Sequence, residues 1–232
     1  MVWSLVIYAA GAGALALVAR RGSRPVQHHA SVVQVAAACD AGDRAAALAA
    51  CGCGPVDSGP AVPWERVALA YQRAGDTHAA SLPLVLALVG QESDFRPRAV
   101  RHEPCVWVAD WTATARAAHP RGTDCCAWGS FGLTQVLFAV ALDRGGDLVD
   151  RPEDLFDPDV SIEVGLRVLD HWLDRFGAGG AGGPWSDVLA GYNSGRRYAA
   201  APKRTQNYVD AVIAKRREWE ARLSPGLQPW AA

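Results

Sequence analysis

The stretch LPLVLALVGQESDF, residues 82–95, constrains the fold of this chain more than any other. Seven of its first eight residues are Leu, Val or Ala, so a helix formed from them is apolar on almost every side. Such a helix belongs in a hydrophobic core rather than on a surface. Pro97 cannot continue the helix and disfavours the helical conformation of the residue before it, so we expect the helix to end near Asp94 or Phe95.

One carboxylate, Glu92, lies at the end of this apolar segment. Helical neighbours are three, four and seven positions apart, which places Glu92 on the same face as Val85, Leu88 and Val89. Apolar surroundings and the negative end of the helix dipole both disfavour the ionised form, so both should raise the pKa of Glu92. The pattern predicts a general acid that can protonate a leaving group near neutral pH. The alternative is a solvated glutamate at a helix end with no chemical role.

Composition and charge exclude some classes of protein. The chain has 232 residues and half of them are hydrophobic, which is enough for one medium-sized domain with a sizeable core. Its formal net charge of -1 argues against a protein held to nucleic acid by overall charge. We therefore predict no nucleic-acid partner.

The six cysteines form an even set, which fits disulfides made in an oxidising compartment. Zinc is the competing use, but the chain lacks two CxxC pairs, and the CxC sequence at 51–53 is a poor ligand spacing. We therefore predict no metal site and no cofactor. The pairing stays open, although the gaps suggest one bridge within residues 39–53 and one that joins Cys105 to Cys125 or Cys126.

The N-terminal segment is apolar. Residues 2–19 carry no charge and are just long enough to span a bilayer. We interpret residues 1–24 as a transmembrane anchor rather than a cleaved signal peptide, because no basic segment precedes the apolar run. Arg20, Arg21 and Arg24 follow the span, and positive charge there predicts that the body of the protein stays on the cytoplasmic side. The cysteines predict the opposite side.

The remainder is predicted to be mainly α-helical. Residues 25–63 hold an Ala-rich helix and a Gly/Pro-rich linker, residues 64–223 form the main domain, and residues 224–232 form a loose tail. Beside the central helix, with Ser81 as its cap, we expect helices at 64–74, 155–176 and 185–192, and a last one capped by Thr205. In the first of these Leu69 should face inward with its apolar neighbours. Asp157 can cap the 155–176 helix with Pro158 in its first position, and Trp172 belongs to its apolar stripe. An irregular insertion at 98–129 contains three Cys and three Trp, and we expect no strands beyond a short hairpin within it.

Five segments stand in an order and approximate spacing that resemble the SLT-type lytic transglycosylases. They are GQESDFRPRAV (90–100), GSFGLTQV (129–136), LFDPDVSIEVGLRVLDHWLDRFG (155–177), AGYNSG (190–195) and TQNYVDAVIAK (205–215). The resemblance covers about residues 64–220. It implies a lysozyme-like helical domain that cleaves the β-1,4 bond between N-acetylmuramic acid and N-acetylglucosamine in the glycan strands of peptidoglycan.

The resemblance also implies roles for single residues. Glu92 corresponds to the catalytic glutamate and Ser93 to the serine that usually follows it. Three further positions are expected to bind substrate or border the catalytic carboxyl: Gln135 of the Gly-Leu-x-Gln motif, the pair Tyr192 and Asn193, and Tyr208 of the Asn-Tyr-Val motif. From its chemistry Tyr192 can donate a hydrogen bond to the Glu92 carboxyl, and the two amides suit sugar hydroxyl and acetamido groups. The alternatives are core packing for Tyr192 and loop or capping bonds for Asn193 and Gln135.

The sequence departs from the family at two places. Thr134 stands where the family usually has Met, which puts the pocket wall there in doubt. The insertion is longer than the usual connection, and it contributes Glu103 as a candidate second carboxylate. The alternative for Glu103 is an ion pair with Arg101 or another surface partner. The insertion also contains three tryptophans whose rings could stack on sugars, namely Trp107, Trp111 and Trp128.

Two reactions and one non-enzymatic role follow as alternatives. In the family reaction Glu92 protonates the glycosidic oxygen and then takes a proton from the muramic C6 hydroxyl, which closes a 1,6-anhydro ring. A hydrolytic muramidase needs a second carboxylate about 5–9.5 Å from the acid, for which Glu103 is the candidate. A cell-wall-binding or virion structural module would need no buried acid. A cell-wall substrate predicts that the domain acts outside the cytoplasm, in the periplasm or cell wall. The positive charges after residue 19 predict the cytoplasmic side instead. Delivery by a secretion system or in a bacteriophage particle would remove the conflict.

Overall fold

The structure, a computed structural model, describes residues 57–103, 129–177 and 184–224, together with residues 37, 38, 40–43 and 46. The apolar segment 2–19, all six cysteines, the three insertion tryptophans and the tail 225–232 lie outside the described residues, so the predictions for them stay predictions. Among the described helices none has the length and apolar character needed to cross a bilayer.

The described part is mainly helical, as predicted. It contains six α-helices, which are α1 (Trp64–Ala74), α2 (Leu82–Glu92), α3 (Phe138–Arg144), α4 (Pro158–Phe176), α5 (Pro184–Ser194) and α6 (Lys203–Arg222). Its three strands are β1 (Val100–His102), β2 (Gly129–Phe131) and β3 (Val136–Leu137). Single-turn 3₁₀ segments lie at Gly146–Leu148, Pro152–Phe156 and Tyr198–Ala200.

Helix α2 occupies the centre of the main core, as its composition predicts. All six residues from Leu84 to Val89 are at most 1 % exposed. The helix packs most extensively against α6 and also contacts α1, while α4 packs against both α1 and α5. A helix that is apolar all round is stable only when it is covered on all sides, and these neighbours cover it.

The end of α2 corrects one prediction. The helix stops at Glu92, two to three residues before the expected end, because Asp94 and Phe95 adopt positive φ angles of 52° and 60°. The Phe95 ring then lies beside Gly90 and packs edge-on against Trp219, with ring centroids 6.1 Å apart. Glu92 is thus the last helical residue.

The start of α4 confirms a prediction. The Asp157 side chain accepts a hydrogen bond from the backbone N–H of Asp159 at 2.8 Å, and Pro158 occupies the first helical position. Residues 155 and 156 belong to the preceding 3₁₀ segment, so the α-helix begins three residues later than the pattern suggested.

Two other predicted caps are wrong. Ser81 precedes α2 but its side chain makes no capping hydrogen bond. Helix α6 begins at Lys203, so Thr205 lies in its first turn, where its hydroxyl serves the site described below. In α1, whose predicted bounds are confirmed, Leu69 is 41 % exposed rather than inward, and Ala68 is buried instead.

The structure has a small antiparallel sheet in the order β1-β2-β3, where the sequence predicted at most a short hairpin within residues 98–129. β1 lies inside that range, β2 begins at its last residue and β3 lies beyond it, and Arg101 pairs with Ser130 across the first two. The tight turn after β2 needs Gly132, which has a φ of 76° and whose Cβ would lie 2.0 Å from the carbonyl oxygen of Leu155. This turn fixes the position of the next residues, 133–135, beside the end of α2.

Candidate active site

The Glu92 carboxyl is buried at the end of the apolar helix, and its side chain is only 4 % exposed. Burial raises the pKa of Glu92, and the nearby Glu103 charge adds to this, while the Tyr208 hydrogen bond and the Arg101 charge oppose it. The expected burial and the expected direction of the pKa are therefore confirmed. The carboxyl lines a cavity of about 590 Å³, large enough for a sugar-sized ligand.

Tyr208, on α6, is the side chain that orients this carboxyl. Its hydroxyl donates a hydrogen bond to Glu92 Oε1 at 2.6 Å. Burial and the Glu92 charge hold the pKa of Tyr208 well above its usual range, so the hydroxyl keeps its proton and remains a donor. With Oε1 engaged by Tyr208, Oε2 is the oxygen left for chemistry.

Tyr192 does not make the predicted bond to Glu92. Its hydroxyl donates instead to the backbone carbonyl oxygen of Thr134 at 2.6 Å, which ties α5 to the turn after β2. Tyr192 still lines the cavity, and the Glu92 charge contributes to raising its pKa, after burial. The prediction assigned this bond to Tyr192, whereas Tyr208 on the neighbouring helix α6 makes it.

Arg101 lies beside the catalytic carboxyl, although the sequence suggested it only as an ionic partner of Glu103. Its Nη2 lies 3.9 Å from Glu92 Oε2, while its Nε donates to Glu103 Oε1 at 2.7 Å. Ser130, opposite Arg101 in the sheet, donates from its hydroxyl to the same Glu103 oxygen at 3.1 Å. The guanidinium thus forms a long ion pair with the Glu92 carboxyl, and its hydrogen bond to Glu103 holds it in place. The sheet register that creates this contact had no clear signal in the sequence.

Glu103 lines the cavity, as a second carboxylate would have to. Its Oε1 is occupied by Arg101 and Ser130, which is the ionic alternative that the sequence had left open. In this arrangement Glu103 positions a cation rather than standing ready as a base.

Gln135 and Asn193 line the cavity, but each is also fixed by the protein. Gln135 has a φ of 49°, and its Nε2 donates to the carbonyl oxygens of Ala99 and Gly132, each at 2.9 Å. Asn193 Oδ1 accepts a hydrogen bond from the Thr205 hydroxyl at 2.8 Å, which leaves its amide nitrogen for other partners.

Ser93, which the resemblance had placed among the substrate-binding residues, does not line the cavity, and neither does Thr134. The Ser93 hydroxyl is buried and lies 2.8 Å from the carbonyl oxygen of Leu133, so it joins the end of α2 to the turn after β2. Thr134 turns into the core, where its hydroxyl donates to the Ser161 carbonyl at 2.9 Å. Its methyl group fits against Gly165, where a Cβ would approach within 2.7 Å. Thr134 is therefore packing, not pocket wall.

Trp172 and His171, on α4, also line the cavity, and Trp172 packs against the core as the sequence pattern predicted. Gly191 allows α5 to approach the Trp172 ring, because a Cβ there would lie 2.7 Å from it. The part of the chain that the structure describes contains no group of three or more His, Cys, Asp or Glu side chains suited to a metal ion.

Comparison with known families gives one match. A family model described as Transglycosylase SLT domain matches residues 70–212, which is more than half of the chain and includes every site residue described above. Searches of curated proteins and of solved structures returned no match.

Proposed function

Because the chain belongs to the Transglycosylase SLT domain family, a family of glycan-cleaving enzymes that act on peptidoglycan, we propose that it cleaves the N-acetylmuramic acid–β-1,4–N-acetylglucosamine bond with Glu92 as both acid and base. The observation that carries the proposal is the buried Glu92 carboxyl, held by Tyr208 at one oxygen and open to the cavity at the other.

The first step needs a protonated acid. Burial favours protonated Glu92, so Oε2 can donate its proton to the glycosidic oxygen as the bond from that oxygen to the muramic C1 breaks. The proton leaves with the N-acetylglucosamine hydroxyl, and positive charge develops at C1. Glu92 is now a carboxylate next to that charge.

The second step needs a base. The Tyr208 hydrogen bond and the Arg101 charge both favour the ionised form of Glu92, so they stabilise it for this stage. Glu92 removes the proton of the C6 hydroxyl, and O6 bonds to C1 to form the 1,6-anhydro ring. No water is consumed, and the acid is regenerated in its starting form.

Hydrolysis by a muramidase is the second candidate, and the presence of Glu103 in the same cavity is the observation that favours it. That role requires Glu103 to activate a water molecule. Its bonds to Arg101 and Ser130 oppose the role, because they engage one of the two carboxylate oxygens and hold the side chain in place.

Product analysis tests the proposal. Purified full-length protein in detergent is incubated with peptidoglycan, and the soluble fragments are analysed by mass spectrometry. We expect 1,6-anhydro ends from the wild type and a loss of at least about 10²-fold in rate for Glu92→Gln. Reducing ends, which are one water heavier, would favour the muramidase. No release by either protein would favour a binding module.

A further inference from the structure

Three arginines that lie outside the sheet strands line the cavity. Arg144 ends α3, Arg196 follows α5, and Arg204 lies in the first turn of α6. All three are exposed, and none forms an ion pair within residues 57–103, 129–177 and 184–224. Three separate elements thus direct guanidinium groups to one surface.

The carboxylates of the cavity do not balance these arginines. Glu92 belongs to the proposed catalytic centre, and Glu103 is engaged by Arg101. On the side of the three arginines, Asp143 is the carboxylate among the lining residues. The neighbouring His171 is affected by the same positive charge, because burial and the charges of Arg144 and Arg175 lower its pKa.

When every muramic carboxyl is linked to a peptide, the sugar units of the strand are neutral and offer no charge to such a surface. The peptide stems carry free carboxylates, and arginine binds carboxylates through paired, charge-assisted hydrogen bonds. A strand that carries peptide stems would bring negative charge a short distance from the scissile bond. The Trp172 ring lines the same cavity.

We propose that Arg144, Arg196 and Arg204 form an anion subsite that binds carboxylates of the peptide stem on a peptide-substituted strand. The inference rests on the proposed function and adds to it the chemistry of the preferred strand. Among the residues that the structure describes, Glu92 pairs with Arg101 and with none of these three arginines, so the subsite contributes to binding and not to the chemical step.

The test compares one variant pair on two substrates. Arg196→Gln/Arg204→Gln removes two subsite charges that form no ion pair with the residues placed by the structure. Lys203→Gln/Arg217→Gln removes the same net charge from exposed positions of α6 that do not line the cavity, and it is the control. The substrates are strands with free stem carboxylates and the same strands after chemical amidation of those carboxylates.

We expect the subsite variant to lose about tenfold in kcat/KM on the free-carboxylate strands, mainly through KM, which is the loss of one or two charge-assisted contacts at a solvent-exposed site. On amidated strands the two variants and the wild type should be alike. Equal losses on both substrates, or equal losses in the control, would overturn the proposal. Stronger competition by a glycerol-phosphate polymer than by stem peptide would also overturn it in favour of a phosphate ligand.

A binding measurement separates this inference from the proposed reaction. Soluble disaccharide–peptide fragments are titrated calorimetrically into Glu92→Gln protein, with and without the two arginine substitutions. Carboxylate-dependent binding that is lost in the subsite variant would support the subsite even if the wild type cleaved no glycan. Binding that is indifferent to the arginines would refute the subsite even if the wild type released anhydro products.

Discussion

The hydrogen bond from Tyr208 to Glu92 gives the sharpest prediction about the site. Tyr208→Phe removes the hydroxyl that lies 2.6 Å from Oε1 and leaves a carboxyl that is 4 % exposed without its donor. A hydrogen bond to a charged group contributes about 1.5–3 kcal/mol. Since about 1.4 kcal/mol corresponds to one pH unit of ionisation, the pH at which Glu92 ionises should rise by about one to two units.

The assay is the pH dependence of kcat/KM for product release. Its alkaline limb reports the ionisation of the acid in the free enzyme, so it should move to higher pH in Tyr208→Phe. The maximal rate should fall at the same time, because the carboxyl is less well oriented and the base step loses support for the ionised form.

Tyr192→Phe is the matched control. It deletes the same atom from the neighbouring helix, but that hydroxyl donates to the Thr134 carbonyl, so the fold should lose about 1 kcal/mol while the alkaline limb stays in place. If the limb moved in Tyr192→Phe and not in Tyr208→Phe, the assignment of the orienting tyrosine would be refuted.

Three further predictions concern charge and backbone. Glu92→Gln should raise the free energy of unfolding near neutral pH but not below about pH 4. Burial raises the pKa of Glu92 in the folded state, so the wild type keeps its full stability below the unfolded pKa and loses stability as pH rises toward the folded pKa. A glutamine at this position does not ionise and has no such loss. Urea denaturation at both pH values measures the difference between the two proteins, and an equal difference at both pH values would contradict the raised pKa. Glu103→Gln should release Arg101 to pair more closely with Glu92, so the alkaline limb of activity should move to lower pH while 1,6-anhydro products persist. Complete loss of turnover would instead identify Glu103 as a catalytic base. Gly132→Ala should destabilise the fold by more than about 3 kcal/mol, since it adds a backbone clash to a positive φ. Gly146→Ala also has a positive φ, but its Cβ would meet only the Arg167 side chain at 3.8 Å, so it should lose only about 1 kcal/mol in thermal or urea unfolding. Similar losses in the two variants would contradict the close approach at Gly132.

Much of the local structure could be predicted because it depends on neighbours in sequence. The bounds of α1 follow from its periodicity and from Gly75, whose φ is 83°. The start of α4 follows from the Asp157–Pro158 pair. The burial of Glu92 follows from the continuous apolar run before it.

The contacts that organise the site could not be predicted in this way. Tyr208 reaches Glu92 across 116 positions, and only the packing of α6 on α2 decides that it does so in place of Tyr192. Arg101 owes its position to a register between strands too short to leave a periodic pattern. Ser93 carries a family signature, yet its environment in the fold turns the hydroxyl to the core.

If the buried Glu92 carboxyl serves as both acid and base, its ionisation must govern turnover. A site-specific titration of Glu92 measures that ionisation. Carbon-13 spectra of full-length protein labelled at glutamate, with Glu92→Gln to identify the signal, give the pKa of Glu92. We expect a pKa above the ordinary glutamate value of about 4.3 that coincides with the alkaline limb of anhydro-product release. A pKa at or below that value, or an activity limb that does not follow the titration, would contradict the account.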